Sequence, residues 1–345
     1  MKTKANILPS LTWRFTESNS KTVDLKDFDI EIKNRNLVNL VPSEFRDHFD
    51  ELKYGVSKEI LEINEKNRNY EDFYVLESNE HIEKFFVLDG DNKNLYDLHG
   101  IEVKENSDAT ILLDYMSSEN YESFRNTLIK IKSEKNSKLK IIVLQRLSSS
   151  SESFLSMVTD LEENASVDLV HIEIGSKNSY SNYLVNIKGN QAHSDIKTAY
   201  FVDENRYLDL AYEITHKGEK TSSDMVINGV LKDYAKKRFS GTLDFKKGST
   251  LSTGNEEEFV TLLDPTVKNW AVPILLARED NIVGNHAASA GHVDNDMLFY
   301  IKTRGFNELE AKKIIVESKI RPVLDLIENE KIEEEIMSQI LESIE

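Results

Sequence analysis

Between about residue 100 and residue 283 the chain is a succession of short segments in which apolar and polar side chains alternate. The alternation is clearest in Leu169-Val170-His171-Ile172-Glu173-Ile174 and in Tyr207-Leu208-Asp209-Leu210-Ala211-Tyr212. A period of two sends successive side chains to opposite faces of an extended strand. Further segments of this kind are Leu128 to Lys132, Leu139 to Leu144, Tyr183 to Lys188, Thr198 to Val202, Met225 to Leu231 and Phe239 to Phe245. They recur about every 12 to 20 residues with little helical periodicity between them. Two architectures meet that pattern, a β-sandwich and a solenoid of stacked rungs. No crisp short repeat is visible, which weighs against the solenoid, and the pattern alone leaves both open.

The flanks read differently. In residues 1–100, Phe45, Phe49, Leu52, Ile60, Leu61 and Ile63 fall at roughly helical spacing within Ser43 to Asn64. Val75 and Phe85 to Leu88 read as strands, and Asp89-Gly90-Asp91 as a hairpin-type turn. This first unit is expected to be mixed α/β, followed by a β unit over 101–285. Within the latter, Ser148 to Ser153 reads as a surface loop. The last unit, 286–345, is expected to be helical. Asp294 is a good N-cap, with Met297, Leu298 and Ile301 on one face of the helix that follows. That helix stops at Arg304-Gly305. Asn307 and Glu310 have capping-box spacing, ahead of a helix with Ala311, Ile314, Ile315 and Ser318 on one stripe that ends near Pro322. A final segment, Ile332 to Ile344, sets Ile336, Ile340 and Ile344 beside an acidic face.

Composition removes several functions. The formal net charge of −18 over 345 residues argues against nucleic-acid binding, which needs clustered Lys and Arg. The longest apolar run, Ala271 to Ala277, is broken by Pro273 and falls far short of the ~20 residues of a membrane span. Met1 to Leu11 has no continuous apolar stretch, so no secretory signal is expected and a cytoplasmic location is. There is no cysteine, hence no disulfide and no thiolate metal site within the chain. Nucleotide-binding glycine loops, the nucleophile elbow and the His-Glu-x-x-His helix are missing, so the chain is expected not to hydrolyse ATP itself. With 61 Asp and Glu, acidic pairs arise by chance and specify nothing.

One histidine stands out. His286 lies in Val283-Gly284-Asn285-His286-Ala287-Ala288-Ser289-Ala290-Gly291, where the β unit meets the helical one. A neutral imidazole can replace thiolate as a ligand of an iron–sulfur cluster. It can equally hold backbone at a strand-to-helix transition. A single imidazole cannot hold a cluster, so the ligand reading requires a cysteine from a partner. His292, with Asp294 and Asp296 nearby, offers metal-ligand types. Asp294 is already explained as a cap, however, and the six residues that separate His292 from His286 are not a same-face helical spacing. His193 and His216 belong to the β unit and are expected to face solvent or a buried polar neighbour.

The block Asp280-Asn281-Ile282-Val283, His286, Phe299-Tyr300, Arg304-Gly305 and Glu310-Ala311 resembles the junction of the SufB/SufD family of iron–sulfur cluster assembly proteins. Leu210 to His216, and Asn228-Gly229-Val230-Leu231 running on to Phe239-Ser240-Gly241, resemble its upstream segments. Trp13-Arg14-Phe15-Thr16 resembles an element of SufD proteins. Two positions depart from the family: Gly284 stands where relatives often have cysteine, and Ser252 to Phe259 replaces a Gln- and Asn-rich stretch. The lack of cysteine makes the likeness SufD-like rather than SufB-like.

The resemblance implies a mainly β protein: a right-handed parallel β-helix core with a mixed α/β N-terminal region and a C-terminal helical domain. It implies a non-catalytic scaffold subunit that pairs with a SufB-like subunit and docks a SufC-like ABC ATPase through the helices from Asp294 onward. Phe299, Tyr300 and Arg304 would form the docking surface, although Phe299 and Tyr300 read equally well as core. His286 would be a ligand to an iron–sulfur cluster carried transiently at the subunit interface, with flavin association left open. Two rivals are a β-helix enzyme acting on polysaccharide and a purely structural relative without a ligand role.

Overall fold

The structure is a computed structural model that describes residues 2–12, 18–25, 36–37 and 39–344. Trp13-Arg14-Phe15-Thr16 therefore lies outside the described residues. The chain opens with β1 (Lys2–Ala5), β2 (Lys21–Asp24) and β3 (Asn36–Leu37), then α1 (Ser43–Asp47) and α2 (Lys58–Asn67). Sixteen strands follow: β4 (Tyr70–Leu76), β5 (Glu80–Leu88), β6 (Asn94–Val103), β7 (Asp108–Ser117), β8 (Phe124–Ser133), β9 (Lys138–Arg146), β10 (Glu152–Leu161), β11 (Ser166–Glu173), β12 (Asn178–Ile187), β13 (His193–Val202), β14 (Tyr207–His216), β15 (Ser222–Leu231), β16 (Lys236–Phe245), β17 (Thr253–Leu262), β18 (Lys268–Ala277) and β19 (Val283–His292). The chain closes with α3 (Asn295–Thr303), α4 (Glu308–Leu324), a 3-10 turn at Asp325–Ile327 and α5 (Glu330–Glu342).

From β4 onward each strand pairs in parallel with the strand two further on, so even and odd strands build separate sheets. This is a parallel β-helix of about eight turns, not a sandwich. Partners lie 26 residues apart at Glu152↔Asn178 and 32 apart at Lys236↔Lys268. That variation hides the repeat from a search for a fixed period. Asp89-Gly90-Asp91 joins β5 to β6, which belong to different sheets, so it is a corner of the coil and not a hairpin. The coil takes in β4 to β6 on one side and the rest of β19 on the other, so His286 stands in a strand rather than at a helix entry.

Stacking, not local propensity, builds the core. Inward-facing residues of the even sheet form the column Ile101, Ile131, Thr159, Val185, Ile214, Leu243 and Leu275. In-register parallel strands lie ~4.8 Å apart, so each side chain meets its equivalent in the turns above and below. One set of corners is set by asparagines at positive φ, Asn79, Asn106, Asn136 and Asn164. Asparagine tolerates that conformation better than most residues. Asn164 Nδ2 donates to Asn136 Oδ1 and Asn136 Nδ2 to Asn106 Oδ1, each at 2.9 Å, so these corners form a ladder.

The outer faces are covered from both ends of the chain. The single helix expected over Ser43 to Asn64 is two, because residues 48–57 turn to bring Phe49 and Val56 onto the even sheet. Ser57 then caps α2 by accepting from the Ile60 amide at 3.2 Å. The N-terminal segment is held by a fully buried group. Arg238 donates through Nη1 to both oxygens of Asp209 at 2.8 and 2.9 Å, through Nε to the Ser18 carbonyl and through Nη2 to that of Asn6, both at 2.7 Å. Asn6 Nδ2 in turn donates to Asp209 Oδ1 at 3.0 Å.

On the odd sheet, α4 and α5 bury Val316, Ile320, Val323, Ile336, Met337 and Ile340 against Leu112, Ile142, Val170, Ile172, Phe201 and Val230. The capping box at Asn307 and Glu310 forms with both of its bonds. Ala311 and Ile315 face the core as the stripe predicts, but Ile314 is exposed, because the buried face continues through Val316 and Ile320. No helix among the described residues is long and apolar enough to cross a membrane.

Candidate functional site at the open end of the coil

The coil ends at β18 and β19, each the outermost strand of its sheet. Their outer edges carry backbone N–H and C=O groups with no further strand among the described residues to pair them, the feature natural proteins normally shield. β18 leaves its apolar side chains half-buried, and nearly all of β19 is exposed. β19 is built largely of small residues, Gly284, Ala287, Ala288, Ser289, Ala290 and Gly291, with His286 among them and His292 at its end. Gly284 is tightly packed: a Cβ there would come 2.8 Å from Leu275 Cδ1, so any larger residue would have to displace Leu275.

The register shows what lies beneath His286. One inward column of the odd sheet runs Ile82, Ile111, Ile141, Leu169, Ile196, Met225, Glu256 and His286. It is apolar for six turns and turns polar only in the last two. Glu256 is 1% exposed, and neither of its carboxylate oxygens has a hydrogen-bond partner among the described residues. Burial first, and then the neighbouring Glu258 carboxylate, push its pKa up to about 8. Glu258 is satisfied on one oxygen, by Lys237 and by Tyr200 Oη, the latter at 3.2 Å. Lys237 is fully buried and lies over the Tyr200 and Phe239 rings at 5.8 and 5.7 Å.

These groups escape a reading of the sequence, where Glu256 and Glu258 are two of 61 acids. A signal was nevertheless there: in Gly254 to Val260 the alternation that elsewhere puts Ile, Leu or Met inside puts glutamates there.

The other histidines have plainer roles. His216 is buried, donor or acceptor to Thr221 Oγ1 at 2.7 Å and Ser223 Oγ at 3.0 Å, and stacks on Phe245 at 4.5 Å. Burial lowers its pKa to about 3, so it is neutral. His193 sits between Asp195 at 2.9 Å and Ser222 at 2.8 Å, and the bond to Asp195 raises its pKa. Among the described residues, Asp168, His193 and Asp195 are the set whose donor atoms fall within 4.8 Å of one another. His292 does not converge with Asp294 and Asp296, and Asp294 caps α3 by accepting from the Asp296 amide at 2.9 Å. A groove of about 1450 Å³ lies elsewhere, between the N-terminal segment and the outer face of the even sheet. Its Asp244 is already paired with Lys246.

Just beyond β19, α3 displays an apolar surface. Phe299 and Tyr300 are 69% and 57% exposed, and Met297 and Phe306 are exposed beside them, so none of these is core. Arg304 lies over the Tyr300 ring at 5.0 Å and donates to its hydroxyl at 2.9 Å, which fixes both side chains at the surface.

Both surfaces lie within the residues that a known family model matches. The family model described as "SUF system FeS cluster assembly, SufBD core domain" matches residues 86–319. The iron–sulfur cluster assembly protein SufD of Bacillus subtilis is 28% identical over 155 residues, 45% of this chain and 36% of that protein. An iron–sulfur cluster assembly SufBD family protein of Mycobacterium tuberculosis is 24% identical over 241 residues, 70% of this chain and 28% of that protein. SufB of Bacillus subtilis is 24% identical over 200 residues, 58% of this chain and 43% of that protein. The chain thus spans less than half the length of these curated relatives.

Proposed function

Because the chain belongs to the SufBD family of iron–sulfur cluster assembly proteins, we propose that it is a SufD-like scaffold subunit that builds a cluster jointly with a SufB-like partner. The observation that carries this is His286 on an exposed terminal strand whose outer edge has no partner among the described residues. The edge of a ten-residue strand built largely of small residues suits pairing with a strand of another subunit. The imidazole then lies on the seam. The cluster is cargo. This chain supplies one nitrogen ligand and, having no thiol, leaves sulfur to the partner. The exposed face of α3 favours the docking of a SufC-like ATPase, with Phe299 and Tyr300 as aromatic anchors and Arg304 as the cation beside them. ATP-driven closure of the ATPases would then strain the paired edges through α3, a coupling carried by differential contacts in two states.

Co-expression with a SufB-like subunit and a SufC-like ATPase, then anaerobic reconstitution, tests both parts. His286→Ala should leave the complex intact while cluster yield falls at least about tenfold, the scale of losing one metal ligand or its support. An unchanged yield would return the protein to a purely structural role. Phe299→Asp with Tyr300→Asp should weaken ATPase retention about 30-fold or more, as expected of interface anchors worth ~2 kcal/mol. Retention at the parent level would remove α3 from the docking surface.

A further inference from the structure

The interior of the last two turns is out of electrical balance. Among the described residues that face it, Glu256 and Glu258 are acidic and Lys237 is the one cation. Lys237 is committed to Glu258, and its further neighbours are the Trp270 carbonyl at 3.4 Å and two aromatic rings. Glu256 is left without a counter-charge and without a donor on either oxygen. A buried carboxyl in that condition carries a proton or takes a cation. The fold makes room for it: a Cβ on Gly241, across the interior, would collide with Glu256 Oε1. The Asn269 side-chain oxygen, inward-facing one turn above Lys237, is likewise buried and unpartnered.

We propose that Glu256 is a second metal-binding donor beneath His286, so that the open end of the coil takes up one ferrous ion before any sulfur is delivered. The inference rests on the reading of His286 given above and deepens it. Glu256 and His286 are register partners on adjacent strands with no turn between them, and they point to the same face. Strands ~4.8 Å apart hold a carboxylate and an imidazole within reach of one ion bound at ~2.0–2.2 Å from each. Imidazole and carboxylate together suit a divalent first-row metal. The exposed end admits it, and Met225 beneath Glu256 closes the column below.

The test uses the full chain by itself under anaerobic conditions, with iron(II) and, for its absorption spectrum, cobalt(II). One equivalent is expected to bind, with Glu256→Gln and His286→Ala each weakening binding at least about tenfold. Glu257→Gln, the outward neighbour, should bind like the parent. Thermal midpoints of the metal-free variants establish that each is folded, and Glu256→Asp, which keeps the charge on a shorter arm, should bind with intermediate strength. If Glu256→Gln binds as the parent does, or if His193→Ala abolishes binding instead, the inference is overturned. His286 keeps its proposed role in that event so long as His286→Ala still fails to build the cluster in the complex. Normal cluster assembly by His286→Ala would instead remove the proposed function itself.

Discussion

Replacing Arg238 by methionine is expected to cost about 3–5 kcal/mol of unfolding free energy in urea titration, because it strands the buried Asp209 carboxylate without its partner. Asp209 is fully buried, and desolvation already holds its pKa up against the pull of Arg238 and Asn6. The same substitution deletes the bonds from Nε and Nη2 to the Ser18 and Asn6 carbonyls. The loss should therefore appear also as early proteolysis within residues 2–25, ahead of global unfolding. Replacing both partners, Asp209→Leu with Arg238→Met, should recover the part of the loss that comes from the stranded carboxylate, while the early proteolysis persists because the Ser18 and Asn6 carbonyls still lack their donor. A loss below ~1 kcal/mol for Arg238→Met would mean that the pair is not the clamp described here.

The second large effect concerns Glu256 and pH. Its folded-state pKa of about 8 lies above the ordinary 4.5. Below pH ~4.5 both folded and unfolded chains hold the proton, and the residue contributes nothing to pH dependence. Between ~4.5 and ~8 the unfolded chain gives the proton up while the folded chain retains it. Stability therefore falls with rising pH by up to ~1.4 kcal/mol per unit. Glutamine cannot ionise. In the presence of a chelator, the advantage of Glu256→Gln over the parent should grow by about 3–5 kcal/mol from pH 4.5 to pH 8.5 and then level off. A difference that stays flat across that range would show the carboxyl to be solvated. Overlapping urea curves at the two pH values measure it.

Much of the fold was legible, and what was not has a physical cause. Strands such as Leu139 to Leu144 and Tyr207 to Thr215 announce themselves because inward and outward faces meet different solvents, which writes a period of two into the chain. The cap at Asp294 and the box at Asn307 and Glu310 depend on neighbours within three residues, so the sequence carries them whole. Register is another matter. That Ile196 stands on Leu169 and His286 on Glu256 is decided across some thirty residues of coil. No local preference encodes it. The column ending in Glu256 and His286 therefore could not be drawn beforehand, although His286 itself could be picked out. The asparagines at 79, 106, 136 and 164 were a trace of the repeat. It fades because Gln191, Lys220 and Leu251 take up the same positive-φ conformation afterwards without being asparagine.

The brace formed by α4 and α5 has a consequence for how the molecule comes apart. A solenoid is held by nearest-neighbour terms, so it can fray from an end, turn by turn. Here the two helices lie across β7, β9, β11, β13 and β15, with Arg146 and Lys140 tied to Glu335 and Glu328, which welds those turns into one cooperative block. None of the buried contacts of that brace comes from β17 or β19. The rungs carrying Glu256 and His286 are thus left as the most easily opened part of an otherwise stiff rod, next to the exposed helix α3.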